Sequence, residues 1–312
     1  MKVIRHLPRV PARLERVVLT LGNFDGLHRG HRAIVERARA AAAARGGRVV
    51  ALTFHPHPIA VLAPERATPM IQSLHDRLAG LRGLGVDVVV AQRFTRTFAS
   101  FAPEAFVEQF LLRSLGLLHV VVGYNVTFGQ GRTGTAETLA ALGARLGFEV
   151  ETVGPVTIDG VAVSSSAIRK ALGAGDVERG AALLGHAHRL RGRVVTGERR
   201  GRTLGFPTAN LHVPPRVLVP AHGVYAVRAH LGGAVHPGVL NIGVRPTFGE
   251  ARRTIEAHLL DWDGDCYGRW LELELVARLR GEQRFDGPDA LRAQIAADVA
   301  NARRVLASDS GT

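Results

Sequence analysis

The sequence predicts two successive folds. The first is an α/β half built on a parallel sheet covered on both faces. The second is a mainly antiparallel sheet or small β-barrel followed by a C-terminal helix. Three observations carry this. Short apolar runs alternate with helices of about a dozen residues through the first half. After about residue 185 the rhythm shifts to short strands jointed by Gly and Pro. The length, 312 residues, suits two domains, each able to bury a core.

The elements follow in order. Val17–Leu21 is a β-branched run that ends at Gly22. His31–Ala44 reads as a helix of good formers, stopped by Gly46 and Gly47. Strands are expected at Val49–Phe54, Val86–Ala91, His119–Val122 and Glu149–Val153. Helices are expected at Leu74–Leu84, Pro103–Leu115 and Thr135–Leu146. Two short helices, Ser165–Leu172 and Asp176–Leu184, close the first half. The second half offers strands at Leu190–Val195, Val224–Leu231, Ala234–Ile242, Thr254–Leu260 and Trp270–Leu279. A last helix, Pro288–Leu306, carries Leu291, Ile295, Val299 and Ala302 at helical spacing. The boundary is expected between residues 185 and 186.

Composition removes several classes. Cys266 is the only cysteine, which excludes an internal disulfide framework and Cys-based zinc fingers and fits a reducing cytoplasm. No run approaches the roughly 18 apolar residues of a membrane helix. The N-terminal stretch lacks the apolar core of a signal peptide. Net charge is +13, which admits nucleic acid, acidic surfaces or small anions as partners. The basic residues are spread over both halves, without a Lys/Arg-rich tail or an aromatic-interleaved stretch, which argues against specific nucleic-acid binding.

The first chemical signal is Leu19–His31, LTLGNFDGLHRGH. A strand runs into a glycine-rich turn, and a helix opens near Gly30. His28 and His31 are three apart and can face the same way at that helix start. A helix N-terminus offers free N–H groups and a positive dipole end to an anion. Two imidazoles beside it suit the charge that develops on an attacked phosphoryl group. Taken alone, a His-x-x-His pair is more often a cap or a surface feature. No third ligand supports zinc.

The segment GNFDGLHRGH resembles the HxGH signature of the nucleotidyltransferase superfamily. Its longer form is similar to the bacterial bifunctional riboflavin kinase/FMN adenylyltransferase (FAD synthetase) family. Three further segments agree in order: Thr53–Pro58 (TFHPHP), Gly123–Gly134 (GYNVTFGQGRTG) and Val163–Arg169 (VSSSAIR). The likeness runs over residues 3–306. Within it, His55, Val126 and Ser166 depart from the residues the family commonly carries. The resemblance implies a Rossmann-like nucleotidyltransferase domain over 1–185. It implies His28, His31 and Arg169 as catalytic residues. Gly22, Asn23, Phe24, Asp25, Asn125, Ser164 and Ser165 would bind the nucleotide or the flavin. Physically, hydroxyls before a helix with a guanidinium one turn in make an anion site, although a plain N-cap would look the same.

The second signal is Gly192–Asn210, GRVVTGERRGRTLGFPTAN. Its glycines can turn backbone amides toward phosphates, but no GK[ST] follows, so this is not a Walker A loop. Thr208 and Asn210 would share one side of an extended segment. Two neutral oxygens of that kind suit Mg²⁺ held mainly by phosphates. GRxLGFPTAN resembles the riboflavin kinase signature, and Gly238–Phe248 and Ile255–Gly268 agree with it. The resemblance implies a kinase barrel over 186–312, with Thr208 and Asn210 on Mg²⁺. Gly197, Arg202, Gly205, Phe206 and Pro207 would line the nucleotide site. Glu256 would accept the hydroxyl proton as riboflavin attacks the γ-phosphate. The implied reactions convert riboflavin to FMN with ATP, then FMN to FAD with a second ATP. Small-molecule partners, a cytoplasmic location and room for a homo-oligomer complete the expectation. Two alternatives stay open at this point: a nucleic-acid-binding protein, and a flavin sensor that has lost its chemistry.

Overall fold

The computed structural model describes residues 1–7, 13–197, 201, 204–246 and 251–309. They pack as two compact units, Met1–Ser165 and Ser166–Thr312.

The first unit holds a six-stranded parallel sheet. Its strands are β1 (Lys2–Arg5), β2 (Leu14–Leu21), β3 (Arg48–His55), β4 (Val88–Arg93), β5 (Leu115–Gly123) and β6 (Glu149–Val153). The order across the sheet is β1-β4-β3-β2-β5-β6. Side chains alternate across a strand, so a continuous apolar run serves two cores. Val17, Leu19 and Leu21 join Val50, Leu52, Val120 and Val122 on one face. Val18 joins Val49, Ala51, Val89 and Val121 on the other.

Helices cover both faces. They are α1 (Arg29–Arg45), α2 (Pro58–Leu62), α3 (Leu74–Gly83), α4 (Arg96–Ala99), α5 (Pro103–Ala105) and α6 (Ala136–Leu146). Val35, Ala38, Ala41 and Ala42 of α1 and Leu81 of α3 pack on the Val18 face. Leu139 and Leu142 of α6 pack on the opposite face. The single helix expected over Pro103–Leu115 is divided. After α5 the backbone widens into a π-helical stretch, Phe106–Leu112, and β5 already begins at Leu115. Phe106 and Phe110 stack on each other in a ring cluster, meeting Phe98 and Phe101 edge-on and Phe128 at a tilt, and this packing accompanies the wider turn. A two-stranded hairpin, β7 (Thr157–Ile158) and β8 (Val161–Ala162), leads out of the sheet.

The chain builds β2, β3 and β4 in one direction, then crosses to place β5 on the other side of β2. In open α/β sheets, ligands bind at the carboxyl ends of the strands where the order reverses in this way. Here those ends are Leu21 and Gly123.

The second unit contains a closed antiparallel barrel in the order β10-β13-β12-β11-β14-β9. Helices α7 (Ser165–Ala174) and α8 (Val177–Leu184) precede it. The strands are β9 (His188–Val195), β10 (Ala209–His212), β11 (Gly223–Leu231), β12 (Ala234–Pro246), β13 (Ala251–Leu259) and β14 (Trp270–Arg280). Helix α9 (Pro288–Ser308) lays Ala302 and Leu306 on Val224, Ala226 and Val239. It is fastened by Arg280, whose guanidinium donates to both oxygens of the buried Asp298 carboxylate at 2.8–3.1 Å. The packing division falls before residue 185 because α7 and α8 attach to the barrel. Arg278 of β14 donates from its guanidinium to the Ala174 carbonyl and from its backbone N–H to Glu178.

Candidate active sites

The first site grows from the turn after β2. His28 has extended backbone (φ −63°, ψ 170°) and caps α1, its Nδ1 accepting the His31 backbone N–H at 3.3 Å. That bond fixes the tautomer: a neutral His28 carries its proton on Nε2. The His28 and His31 rings are stacked, with centroids 3.6 Å apart and planes 16° from parallel. Phe24 meets His31 edge-on at 5.3 Å. Gly30 eases the close packing beside the stack, because a Cβ there would lie 3.2 Å from His28 Nδ1. Phe24 and Leu27 hold positive φ angles of 50° and 44°, a conformation side chains rarely adopt. Such strain needs support from below.

Several side chains supply it. The Asp25 carboxylate is buried and accepts the Ile71 N–H at 3.0 and 3.1 Å and the Gln72 N–H at 3.4 Å. Gln72 returns a bond from Nε2 to the Phe24 carbonyl. Thr53 Oγ1 donates to the Asn23 carbonyl at 3.1 Å. Ser165, at the start of α7, donates its hydroxyl to the Asp25 carbonyl at 3.0 Å. Ser165 therefore meets the histidine turn. Ser164 precedes the helix, and Arg169 lies one turn along it, half-buried. Asn125 is exposed in the turn after β5, beside Gly123, at the other strand end of the reversal point. Val126 packs partly buried against the core.

Burial lowers the basicity of this turn. The His31 imidazole is held well below its ordinary pKa, first by desolvation, then by the neighbouring His28 and Arg77. Its Nδ1 and the Asn23 side-chain oxygen are buried without a hydrogen-bond partner among the described residues. Unpaired buried polar atoms at the reversal point of the sheet fit a site that completes its bonds on a ligand.

The second site lies on the barrel's outer face. Directly opposed residues of an antiparallel ladder share a face. One such row runs Val224, Asn241, Glu256, Asn210, Val195 across β11, β12, β13, β10 and β9. Glu256 thus stands between two amides, Asn241 and Asn210. Gly197 and Gly201 lie close to Asn210 and Thr208: a Cβ on Gly197 would collide with the Asn210 side chain, and one on Gly201 would lie 3.2 Å from Thr208 Oγ1. Phe206 donates its N–H to the Gly201 carbonyl at 2.8 Å and meets His258 edge-on. His258 Nδ1 is 2.7 Å from the Pro207 carbonyl. Gly205 takes a left-handed φ of 88°. Arg202 lies outside the described residues, as do Arg199 and Arg200. Beside Thr208 a cavity of about 560 Å³ is lined by Pro207, His258, Leu259, Leu260, Trp262 and Val299 among others.

Comparison with known proteins covers both units. A family model described as FAD synthetase matches residues 10–167, and one described as riboflavin kinase matches residues 184–306. A bifunctional riboflavin kinase/FMN adenylyltransferase of Escherichia coli (strain K12) is 40% identical over 97% of each chain. The chain belongs to the bifunctional riboflavin kinase/FMN adenylyltransferase family. The Pseudomonas fluorescens member is 41% identical over 98% of each chain, and that of Bacillus subtilis (strain 168) 38% over 93%. A solved structure from Streptococcus pneumoniae, described as a macrolide-efflux protein, has a TM-score of 0.89 and 30% identity, over 97% of this chain and 99% of that one. Among the described residues, no helix is long and apolar enough to cross a membrane.

For a riboflavin kinase/FMN adenylyltransferase family member, sequence reasoning missed several residues near these sites. Ile71, Gln72 and Arg77 support the histidine turn together with Thr53, and Thr53 and His258, though inside matching segments, are given no role by the sequence. Arg77 sits in LHDRL, which reads as an ordinary solvated helix. His258 alternates with Ala257 and Leu259, the only signal that it shares a face with Glu256.

Proposed function

We propose that the barrel transfers the γ-phosphoryl group of ATP to the primary hydroxyl of riboflavin, giving FMN and ADP. The α/β domain then lets the FMN phosphate attack the α-phosphorus of a second ATP, giving FAD and pyrophosphate. The single observation that carries this reading is the stacked His28–His31 pair capping α1 at the reversal point of a parallel sheet. His28 Nε2–H and the helix amides would meet the charge that grows on the α-phosphoryl oxygens. Gly22, Asn23 and Phe24 shape the turn, and Asp25 holds it in place through the Ile71 and Gln72 amides. Ser164, Ser165 and Arg169 would hold the β- and γ-phosphates, and Asn125 would border the flavin or the base.

In the barrel, Glu256 would take the proton of the riboflavin hydroxyl, oriented by the flanking amides of Asn210 and Asn241. Gly197, Arg202, Gly205, Phe206 and Pro207 would enclose the nucleotide, with its base in the cavity beside His258. Among the described residues, no cluster of three His, Cys, Asp or Glu side chains forms a metal cage. The neutral oxygens of Thr208 and Asn210, close to Gly201 and Gly197, fit Mg²⁺ that arrives with phosphate oxygens. Bound there, Mg²⁺ would offset charge on the transferring phosphoryl group. The functional domain boundary is proposed at 185–186, which the second family match supports by starting at residue 184. The lone, buried Cys266 and the ATP-dependent chemistry support a cytoplasmic location.

Incubation with riboflavin, ATP and Mg²⁺, with the flavins then resolved, tests both halves. FMN followed by FAD is expected. FMN without FAD would remove the adenylyl-transfer assignment, and no FMN would remove the kinase assignment.

A further inference from the structure

Beneath the histidine turn lies a charge that the proposed mechanism does not use. Arg77 of α3 is among the largest fully buried side chains, at 2% exposure. Its NH1 donates to Thr53 Oγ1 and to the Phe54 carbonyl, each at 3.3 Å. Thr53 Oγ1 itself donates to the Asn23 carbonyl in the turn. The Arg77 charge is also attracted to Asp25, the carboxylate that pins the turn to Ile71 and Gln72. Arg77 Nε stays buried without a hydrogen-bond partner among the described residues. A guanidinium is a costly way to fill a core position, and costlier with one N–H unpaired. An apolar side chain at this point in α3 would pack more cheaply, so the charge has a use beyond packing.

We propose that Arg77 is a positioning residue for adenylyl transfer: seated on Thr53 and the Phe54 carbonyl, its buried guanidinium supports the Asn23–Asp25 turn from below and thereby sets the placement of His28 and His31. The argument rests on the adenylyl-transfer reading above. Three links carry it. Arg77 to Thr53 to the Asn23 carbonyl fixes the entry of the turn. The attraction between the Arg77 charge and Asp25 favours the placement of its end. Phe24, between those two, touches the His31 ring. A shift of the turn would therefore reach both imidazoles.

The same charge acts on His31 electrostatically. The groups that face this ring are His28 from the cap of its own helix and Arg77 from α3, with Asp25 in the turn offsetting part of the Arg77 charge. Each cation makes a second positive charge on His31 less favourable. Removing Arg77 should therefore raise the pH at which His31 takes up a proton.

The test uses the full chain and reads both activities. Arg77→Met should lower kcat for FAD formation from supplied FMN by about a hundredfold, the scale of an ångström misplacement, with KM for ATP within about threefold. Riboflavin phosphorylation by the barrel should be unchanged. Arg77→Lys keeps a buried cation and should restore most of the rate. Thr53→Val cuts the relay while leaving the charge, and should lower kcat without moving the His31 titration. In the ligand-free protein, the His31 titration followed by NMR should move to higher pH in Arg77→Met and stay in place in Arg77→Lys. A wild type that forms FMN but no FAD overturns the adenylyl-transfer reading and this role with it. A wild type that forms FAD, beside an Arg77→Met protein equally active or an unmoved His31 titration, overturns the role of Arg77 alone.

Discussion

The rings of His28 and His31 lie face to face, their centroids 3.6 Å apart. Two imidazolium ions at that distance would repel strongly, so the pair carries at most one positive charge between them. Burial already disfavours charge on His31. His31 is thus held neutral in the free site, and the negative charge of a triphosphate would favour a proton on the pair. His28→Ala removes both the ring partner and the cap of α1. FAD formation from FMN should fall by about 10³-fold, in the range of a lost oxyanion donor. Phosphorylation of riboflavin, measured on the same protein, should hold its rate.

The kinase half predicts the converse. Glu256 lies directly across the ladder from Asn210 on one side and Asn241 on the other. Glu256→Gln keeps the shape and removes the proton acceptor. Riboflavin phosphorylation should drop by about 10²- to 10³-fold. FAD formation from supplied FMN should be unaffected, which separates loss of chemistry from loss of fold.

Much of this was legible from residue order alone, and the reason is local. The runs around Val17–Leu21, Val49–Phe54 and His119–Val122 are β-branched and bounded by turns, so they read as strands whatever surrounds them. The GNFDGLHRGH turn and the LGFPTAN segment carry their chemistry within a dozen residues. What stayed hidden depends on distant packing. β1 is four residues with only Ile4 buried, and it becomes a strand because β4 offers an open edge. β10 is equally short and is defined by its neighbours β9 and β13. Arg77 looks like a surface charge until α3 slides it under the turn. Asp25 reads as a nucleotide contact in the sequence, yet its carboxylate binds backbone amides 46 and 47 residues away. Sequence position says what a side chain can do, and only the fold says which partner it meets first.

A pH-dependent stability follows from His188. Its ring is buried at the start of β9, with Nε2 3.1 Å from the Leu218 carbonyl. Desolvation pulls its pKa from 6.5 down to about 4 in the folded chain. The unfolded chain therefore takes up the proton first as pH falls. This residue's favourable contribution is complete above about pH 6.5 and is lost progressively toward pH 4. The loss amounts to at most about 3 kcal/mol. Chemical denaturation of the chain should show stability falling through this window. The fall should be shallower in His188→Gln, which removes the titrating group.

The attachment of α9 offers a test of a buried ion pair. Arg280 and Asp298 are largely shielded, with side-chain exposures of 16% and 7%. Gln294 adds a bond to the same carboxylate at 2.9 Å. Both charges left water when α9 docked, so their attraction offsets a desolvation cost and the pair's net worth is modest. Removing one partner is a different matter, because the other charge stays buried. Asp298→Ala should destabilise the second unit by about 3 kcal/mol. Replacing both, as Arg280→Met with Asp298→Leu, should recover a large part of that loss. Denaturation midpoints of the single and double variants decide it. A double variant as unstable as Asp298→Ala would mean that packing of α9, not its ion pair, sets the stability of this face.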